Sequence, residues 1–90
     1  FIDVEVVFVD ENGQQSPAPN VIIRAEGELD RPRFGLTDEN GRARLRVLAD
    51  TYKVILSSIQ FTGDEKTAVV PAGGATSLRF TVYQRIDEIP

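Results

Sequence analysis

The tetrapeptide Asp-Glu-Asn-Gly occurs twice, at Asp10–Gly13 and again at Asp38–Gly41, and its carboxylates are the first candidates for chemistry. A calcium loop of the form D-x-[DN]-x-[DN]-G needs a carboxylate at its opening position and a bidentate Glu at its close. With Gly41 as the loop glycine, Asp38 and Asn40 fall on ligand positions, but Leu36 opens the loop and Val47 closes it. The first copy puts Phe8 and Pro19 at those two positions. The spacing suits a turn better. Asp accepts backbone N–H bonds inside the turn, and Gly takes the left-handed conformation that ends a type I turn with a bulge. Both copies are therefore expected to be β-hairpin hinges, and no metal or cofactor is expected.

Other catalytic chemistry is thinly provided. The chain has no histidine and no cysteine, which removes the commonest general base, the commonest transition-metal ligand and the thiolate nucleophile. Ser57 and Ser58 have no histidine to activate them, and a serine–lysine pair would need Lys53 or Lys66 buried beside them. The acids fall mostly in turns or on strand positions facing outward, so no paired-carboxylate cleft is expected. No catalytic residue is assigned, and the chain is not expected to be an enzyme. Arg42, Arg44 and Arg46 recur at every second residue and share one face of a strand. Their planar guanidiniums make them possible anion contacts. Glu26, Glu28 and Asp30 could equally neutralise them as part of a solvated surface.

These residues must be positioned by strands, because apolar residues alternate with polar ones in short runs and no segment has helical periodicity. Ile2, Val4, Val6 and Phe8 share one face of the first run, and Val21, Ile23 and Ala25 one face of the second. Pro17 and Pro19 exclude helix or central strand from the loop between them. A short strand, Phe34–Thr37, leads through the second tetrapeptide to a strand whose Ala43, Leu45 and Val47 face inward. Tyr52, Val54 and Leu56 follow, then a weaker strand, 67–70, and finally Leu78, Phe80 and Val82. The expected fold is one all-β antiparallel sandwich of about seven strands over residues 1–85, transthyretin-like or immunoglobulin-like, with a tail or linker at 86–90. The same parity turns Val7, Val9, Ile22, Ile55 and Tyr83 outward, making them possible interface residues.

The stretch GLTDENGRARLRVLADTYKVIL resembles carboxypeptidase-regulatory-like and Cna-B-type modules, which share a transthyretin-like (prealbumin-like) sandwich. The residues carrying the resemblance are Thr37, Asp38, Asn40 and Gly41, then Leu45, Leu48 and Tyr52. VVFVDENGQQSPAPNVII is also similar to the opening of that family. Where its members usually have Pro-Gly before the tyrosine, this chain has Ala49, Asp50 and Thr51. LADTY also looks like the tyrosine corner of immunoglobulin-like sandwiches. Some Cna-B modules carry a Lys–Asn isopeptide bond, but Ile2–Val9 has no Lys and Ser77–Arg85 no Asn or Asp, so no such crosslink is expected.

The resemblance implies a non-catalytic structural or interaction module, a spacer, stalk or protein-contact domain, of a secreted or cell-surface protein. Two other roles compete with it: a self-associating subunit of a surface filament or of a phage or secretion-tip assembly, and a carbohydrate-binding accessory module. Expected partners are neighbouring modules or identical subunits, met through an outer sheet face or an edge strand. The net charge of −4 disfavours a nucleic-acid backbone, and no apolar run is long enough for membrane insertion. A chain of 90 residues that opens at Phe1 is expected to be a processed product or a piece of something longer.

Overall fold

A computed structural model describes residues 1–57 and 62–83, the side chains of 62–64 excepted. Ser58 and the tail expected at 86–90 lie outside the described residues. Eight strands are present among the described residues: β1 (Ile2–Val9), β2 (Gln15–Pro17), β3 (Ile22–Gly27), β4 (Arg33–Leu36), β5 (Arg42–Leu45), β6 (Asp50–Ser57), β7 (Thr62–Val70) and β8 (Thr76–Tyr83). They form two four-stranded sheets.

The first sheet is built on β1. Strand β8 pairs with its whole length, Ile2 opposite Thr76 through Val9 opposite Tyr83, and this pairing is parallel. The other edge of β1 is shared by two antiparallel strands: β5 along Ile2–Glu5 and β2 along Val7–Val9. The second sheet runs β4-β3-β6-β7, antiparallel throughout. The expected all-β sandwich is thus present, with one strand more than about seven.

Side-chain parity builds the core. Ile2, Val4 and Val6 meet Phe80 and Val82 from the first sheet, and Ile23, Ala25, Tyr52, Val54, Leu56, Ala68 and Val70 from the second. Leu45 and Val21 complete the cluster, with Phe8, Ala43, Val47 and Leu78 packed against it. Each of the larger side chains contributes about 1.5–3 kcal/mol by leaving water. No buried side-chain polar atom among the described residues lacks a partner. Thr37, the one buried polar residue among them, accepts the Val21 N–H at 2.8 Å and donates its hydroxyl to the Ala18 carbonyl at 2.7 Å.

Two segments differ from expectation. The weak strand expected at 67–70 is the end of β7, which begins at Thr62 and takes in Glu65 and Lys66. An edge strand tolerates charged residues because one of its sides is never covered by another strand, so polarity hides it. Strand β2 lies within the expected proline loop, again at an edge, where Pro17 removes no essential donor.

The two tetrapeptides make the same turn. In each, one Asp oxygen accepts two backbone N–H groups: those of Asn12 and Gln14 at Asp10, and those of Asn40 and Arg42 at Asp38. Gly13 and Gly41 both have positive φ, 79° and 72°. Only the first is a hairpin within one sheet, joining β1 to β2. The second carries the chain from β4 in one sheet to β5 in the other, which corrects the hairpin expectation for that copy. Its glycine also fills the gap on β1 between the strands sharing that edge. The Val6 N–H donates to the Gly41 carbonyl at 2.7 Å, while the Ala18 N–H donates to the Val6 carbonyl at 3.0 Å.

Candidate functional site

Parity that sends Val4 and Leu45 inward sends their neighbours to the outer face of the first sheet. Register then sets these in rows across β5, β1 and β8. One row is Arg44, Asp3 and Ser77; the next is Arg42, Glu5 and Arg79. The Arg44 Nε lies 3.0 Å from Asp3 Oδ1, and the Arg44 guanidinium stands 4.2 Å from the centre of the Phe1 ring. Glu5 is flanked from both sides, by Arg42 Nε at 3.4 Å and by Arg79 Nε at 3.3 Å. Exposed pairs like these contribute about 0–1 kcal/mol each, so their placement matters more than their stabilising effect.

These six side chains, with Asp38, line a shallow groove of about 560 Å³ whose floor is the sheet itself at Val4, Ala43 and Leu78. A second depression of about 520 Å³ lies across the Arg42–Glu5–Arg79 row and reaches Val7, Gln15, Pro17 and Asn40. Both volumes fall within the range of small-molecule sites. One oxygen of Asp38 accepts two N–H groups of its own turn, and the carboxylate keeps its charge. Three guanidiniums thus face three carboxylates, Asp3, Glu5 and Asp38. The Arg42 and Arg79 side chains are 70% and 62% exposed and reach Glu5 through Nε, so much of each donor fork faces solvent. The arrangement is suited to holding a flat anionic group.

Of the three arginines expected as possible anion contacts, the groove brings together two. Arg42 and Arg44 share the face, but β5 ends at Leu45, and Arg46 lies instead at the end of the sandwich near Phe1, Val47 and Pro71. Arg79 takes the third place. Its outward parity is readable in β8; its closeness to Arg42 follows from the parallel pairing of β8 with β1, which the sequence does not signal. The possible interface residues divide between the two outer faces. Val7, Val9 and Tyr83 lie on the outer face of the first sheet, with Val7 largely covered. Ile22 and Ile55 lie on the outer face of the second, on the opposite side of the molecule.

A second polar cluster closes one end of the second sheet. The Tyr52 hydroxyl lies 2.8 Å from Asp30 Oδ2 and 2.7 Å from the Leu48 carbonyl oxygen, and its single proton serves one of them at a time. The contact to Leu48, four residues upstream, is the tyrosine-corner geometry. Arg33 donates a two-pronged fork to Asp30 at 3.1 and 3.2 Å. Asp50 Oδ2 accepts the N–H groups of Leu29 and Asp30, fastening the connection between β3 and β4 to β6. The Arg33 fork and the Tyr52 hydroxyl hold the Asp30 carboxyl down at about 2. Burial, with the Asp30 charge beside it, pushes the Tyr52 phenol up to about 12. A Cβ on Gly27 would stand 2.5 Å from Asp50 Oδ2, so this cluster also dictates that glycine. Every group here is satisfied by another, which makes the cluster a fastening of the fold. Composition gives no sign of it, since Asp30 and Tyr52 are 22 residues apart.

No protein-family model and no curated protein sequence matches the chain. Among solved structures, the 5-hydroxyisourate hydrolase of Klebsiella pneumoniae resembles it with a TM-score of 0.61 over 92% of this chain and 91% of that one, at 18% sequence identity. The likeness corrects the functional expectation. A solved structure that shares this sandwich is an enzyme, so the fold gives no support to a non-catalytic spacer, stalk or contact module, nor to the filament and carbohydrate-module variants of that reading. What it shows is architecture: the chain is a transthyretin-like β-sandwich.

Proposed function

We propose that this domain binds a small planar anion, a carboxylate or an acidic heterocycle, in the groove on the outer face of the β1–β5–β8 sheet. The observation that carries the proposal is the pair of guanidiniums, Arg42 and Arg79, closing on one carboxylate from the two strands flanking β1. Glu5 supplies the template: a flat pair of oxygens is what that pair of forks accommodates. Arg44, one row away and stacked on Phe1, offers a third guanidinium to a ligand with a second polar edge. That a protein of the same fold is named for action on a small molecule supports reading the groove as a small-molecule site. The groove has no histidine or cysteine, so any turnover there would run on Asp3, Glu5, Asp38 and Ser77. We also propose the narrower kinship with carboxypeptidase-regulatory-like and Cna-B-type modules, supported by the turn at Thr37–Gly41 and by Tyr52.

Calorimetric titration with oxalate, citrate and urate, beside an assay for 5-hydroxyisourate hydrolysis, tests the groove. The proposal expects saturable binding of at least one anion, weakened about tenfold or more by Arg42→Gln or Arg79→Gln and weakened further by salt. Absence of binding by all three, or binding or hydrolysis unchanged in both variants, overturns it.

A further inference from the structure

The two Asp-Glu-Asn-Gly turns match in their local bonds. In each, the Gly N–H donates to the carbonyl of the turn's Asp, at 3.0 Å from Gly13 and 2.9 Å from Gly41. The Asn N–H donates to that Asp's Oδ1, at 2.9 Å from Asn12 and 2.8 Å from Asn40. Both asparagines are exposed. The glycine after each is where they differ. Gly13 is exposed, and nothing lies within 4 Å of the place a Cβ would take. Gly41 is buried, its carbonyl accepts the Val6 N–H at 2.7 Å, and backbone atoms of Val6 and Ala18 crowd the same space.

That difference decides the fate of a labile pair. Asparagine is a thermolabile residue, and a following glycine has no side chain to keep its nitrogen from the amide carbon. The glycine nitrogen gives its proton to water and attacks the Asn side-chain carbonyl carbon. A C–N bond closes a succinimide ring, and the bond to the amide nitrogen breaks, releasing ammonia. Water then opens the ring at either carbonyl, leaving aspartate or isoaspartate. Nothing is oxidised or reduced, and water is the sole co-reactant.

We propose that Asn12 is a site of spontaneous deamidation and isoaspartate formation, and that the fold keeps the matching Asn40 intact. Ring closure requires the Asn ψ to rotate and the glycine nitrogen to leave its bond to the Asp carbonyl. At Asn12 this moves an exposed hairpin tip that opens when the short edge strand β2 frays. At Asn40 the same rotation drags Gly41, parting the Val6–Gly41 and Ala18–Val6 hydrogen bonds. Losing both makes the reactive form about tenfold or more rarer. An isoaspartate at position 12 inserts a methylene into the backbone of the hinge and adds a negative charge to a chain already at −4. The protected copy is the one beside the groove: Asn40 lines the depression with Arg42 and Arg79, where a new carboxylate would compete with a bound anion.

Incubation of the domain at mildly alkaline pH, folded and in denaturing urea, tests the proposal, with peptide mapping by mass spectrometry and isoaspartate detection at each site. In the folded domain Asn12 is expected to convert about tenfold or more faster than Asn40. In urea the two should converge to within about threefold, because the tetrapeptides are identical and the tertiary bonds are gone. An Asn12 that converts no faster than Asn40 in the folded domain overturns it. So does a difference that persists in urea, since it would belong to the neighbouring residues and not to the fold.

Discussion

Identical tetrapeptides should respond very differently to the same substitution. Gly13 and Gly41 both have φ near +75°, so alanine at either carries the same backbone strain, a net cost of about 1 kcal/mol. At Gly13 nothing lies within 4 Å of the added Cβ, and the cost stops there. At Gly41 the Cβ would stand 2.5 Å from the Val6 carbonyl oxygen and 2.9 Å from the Ala18 nitrogen, both backbone atoms that cannot swing aside. Relieving the clash pulls apart the Val6–Gly41 and Ala18–Val6 hydrogen bonds. Each is worth about 1 kcal/mol, and a buried N–H left unpaired adds a further 1 kcal/mol or so. Gly41→Ala should therefore cost about 3–4 kcal/mol. In a chain this small, each kcal/mol lowers Tm by about 4–8 °C, giving drops of about 5 °C for Gly13→Ala and 12 °C or more for Gly41→Ala. Urea titrations of both variants read the difference directly. Costs equal to within about 0.5 kcal/mol would refute the bridging role of the Gly41 carbonyl.

Other positions give sharp outcomes. Thr37→Val keeps the side-chain shape but strands the Ala18 carbonyl and the Val21 N–H, and should cost about 2–4 kcal/mol by urea denaturation, with Thr37→Ser recovering most of it. The Asp30 carboxyl is held at about 2 in the folded chain, so its stabilising contribution is complete above about pH 4 and disappears as pH falls from there through 2. Denaturation followed from pH 6 to 1.5 should show this decline, and Asp30→Asn should flatten it. The Tyr52 phenol has the opposite sign: its contribution is complete below about pH 10 and is lost as pH rises through about 12. Tyr52→Phe should remove that alkaline loss, and an unchanged alkaline limb would argue against the hydroxyl contacts.

Strong period-two alternation makes the core legible in the sequence itself. Val4, Leu45, Tyr52 and Phe80 all lie in the single interior that parity assigns them, and both acidic tetrapeptides form the turns their Asp and Gly dictate. Legibility fails where long-range pairing decides the outcome. Glu65 and Lys66 hide β7, since the edge of a sheet imposes no apolar pattern. Placing Arg46 rather than Arg79 on the arginine face follows from extending the alternation past Leu45, where the strand stops. The exposure of Phe34 and Leu36 is not legible, because a four-residue strand holding a glycine gives too short a run to fix which face looks inward. Asp30 reads in the sequence only as a neutralising charge, because nothing local links it to Tyr52.

The groove on the first sheet bears most of the functional reading, and amide chemical-shift mapping of the labelled domain during titration with oxalate and urate tests it most directly. An anion held by the guanidinium forks predicts saturating shifts clustered at Asp3, Glu5, Arg42, Arg44, Ser77 and Arg79, absent in the Arg42→Gln, Arg79→Gln double variant. Shifts centred on the Phe34–Leu36 face, or no saturable shift with either anion, would contradict it.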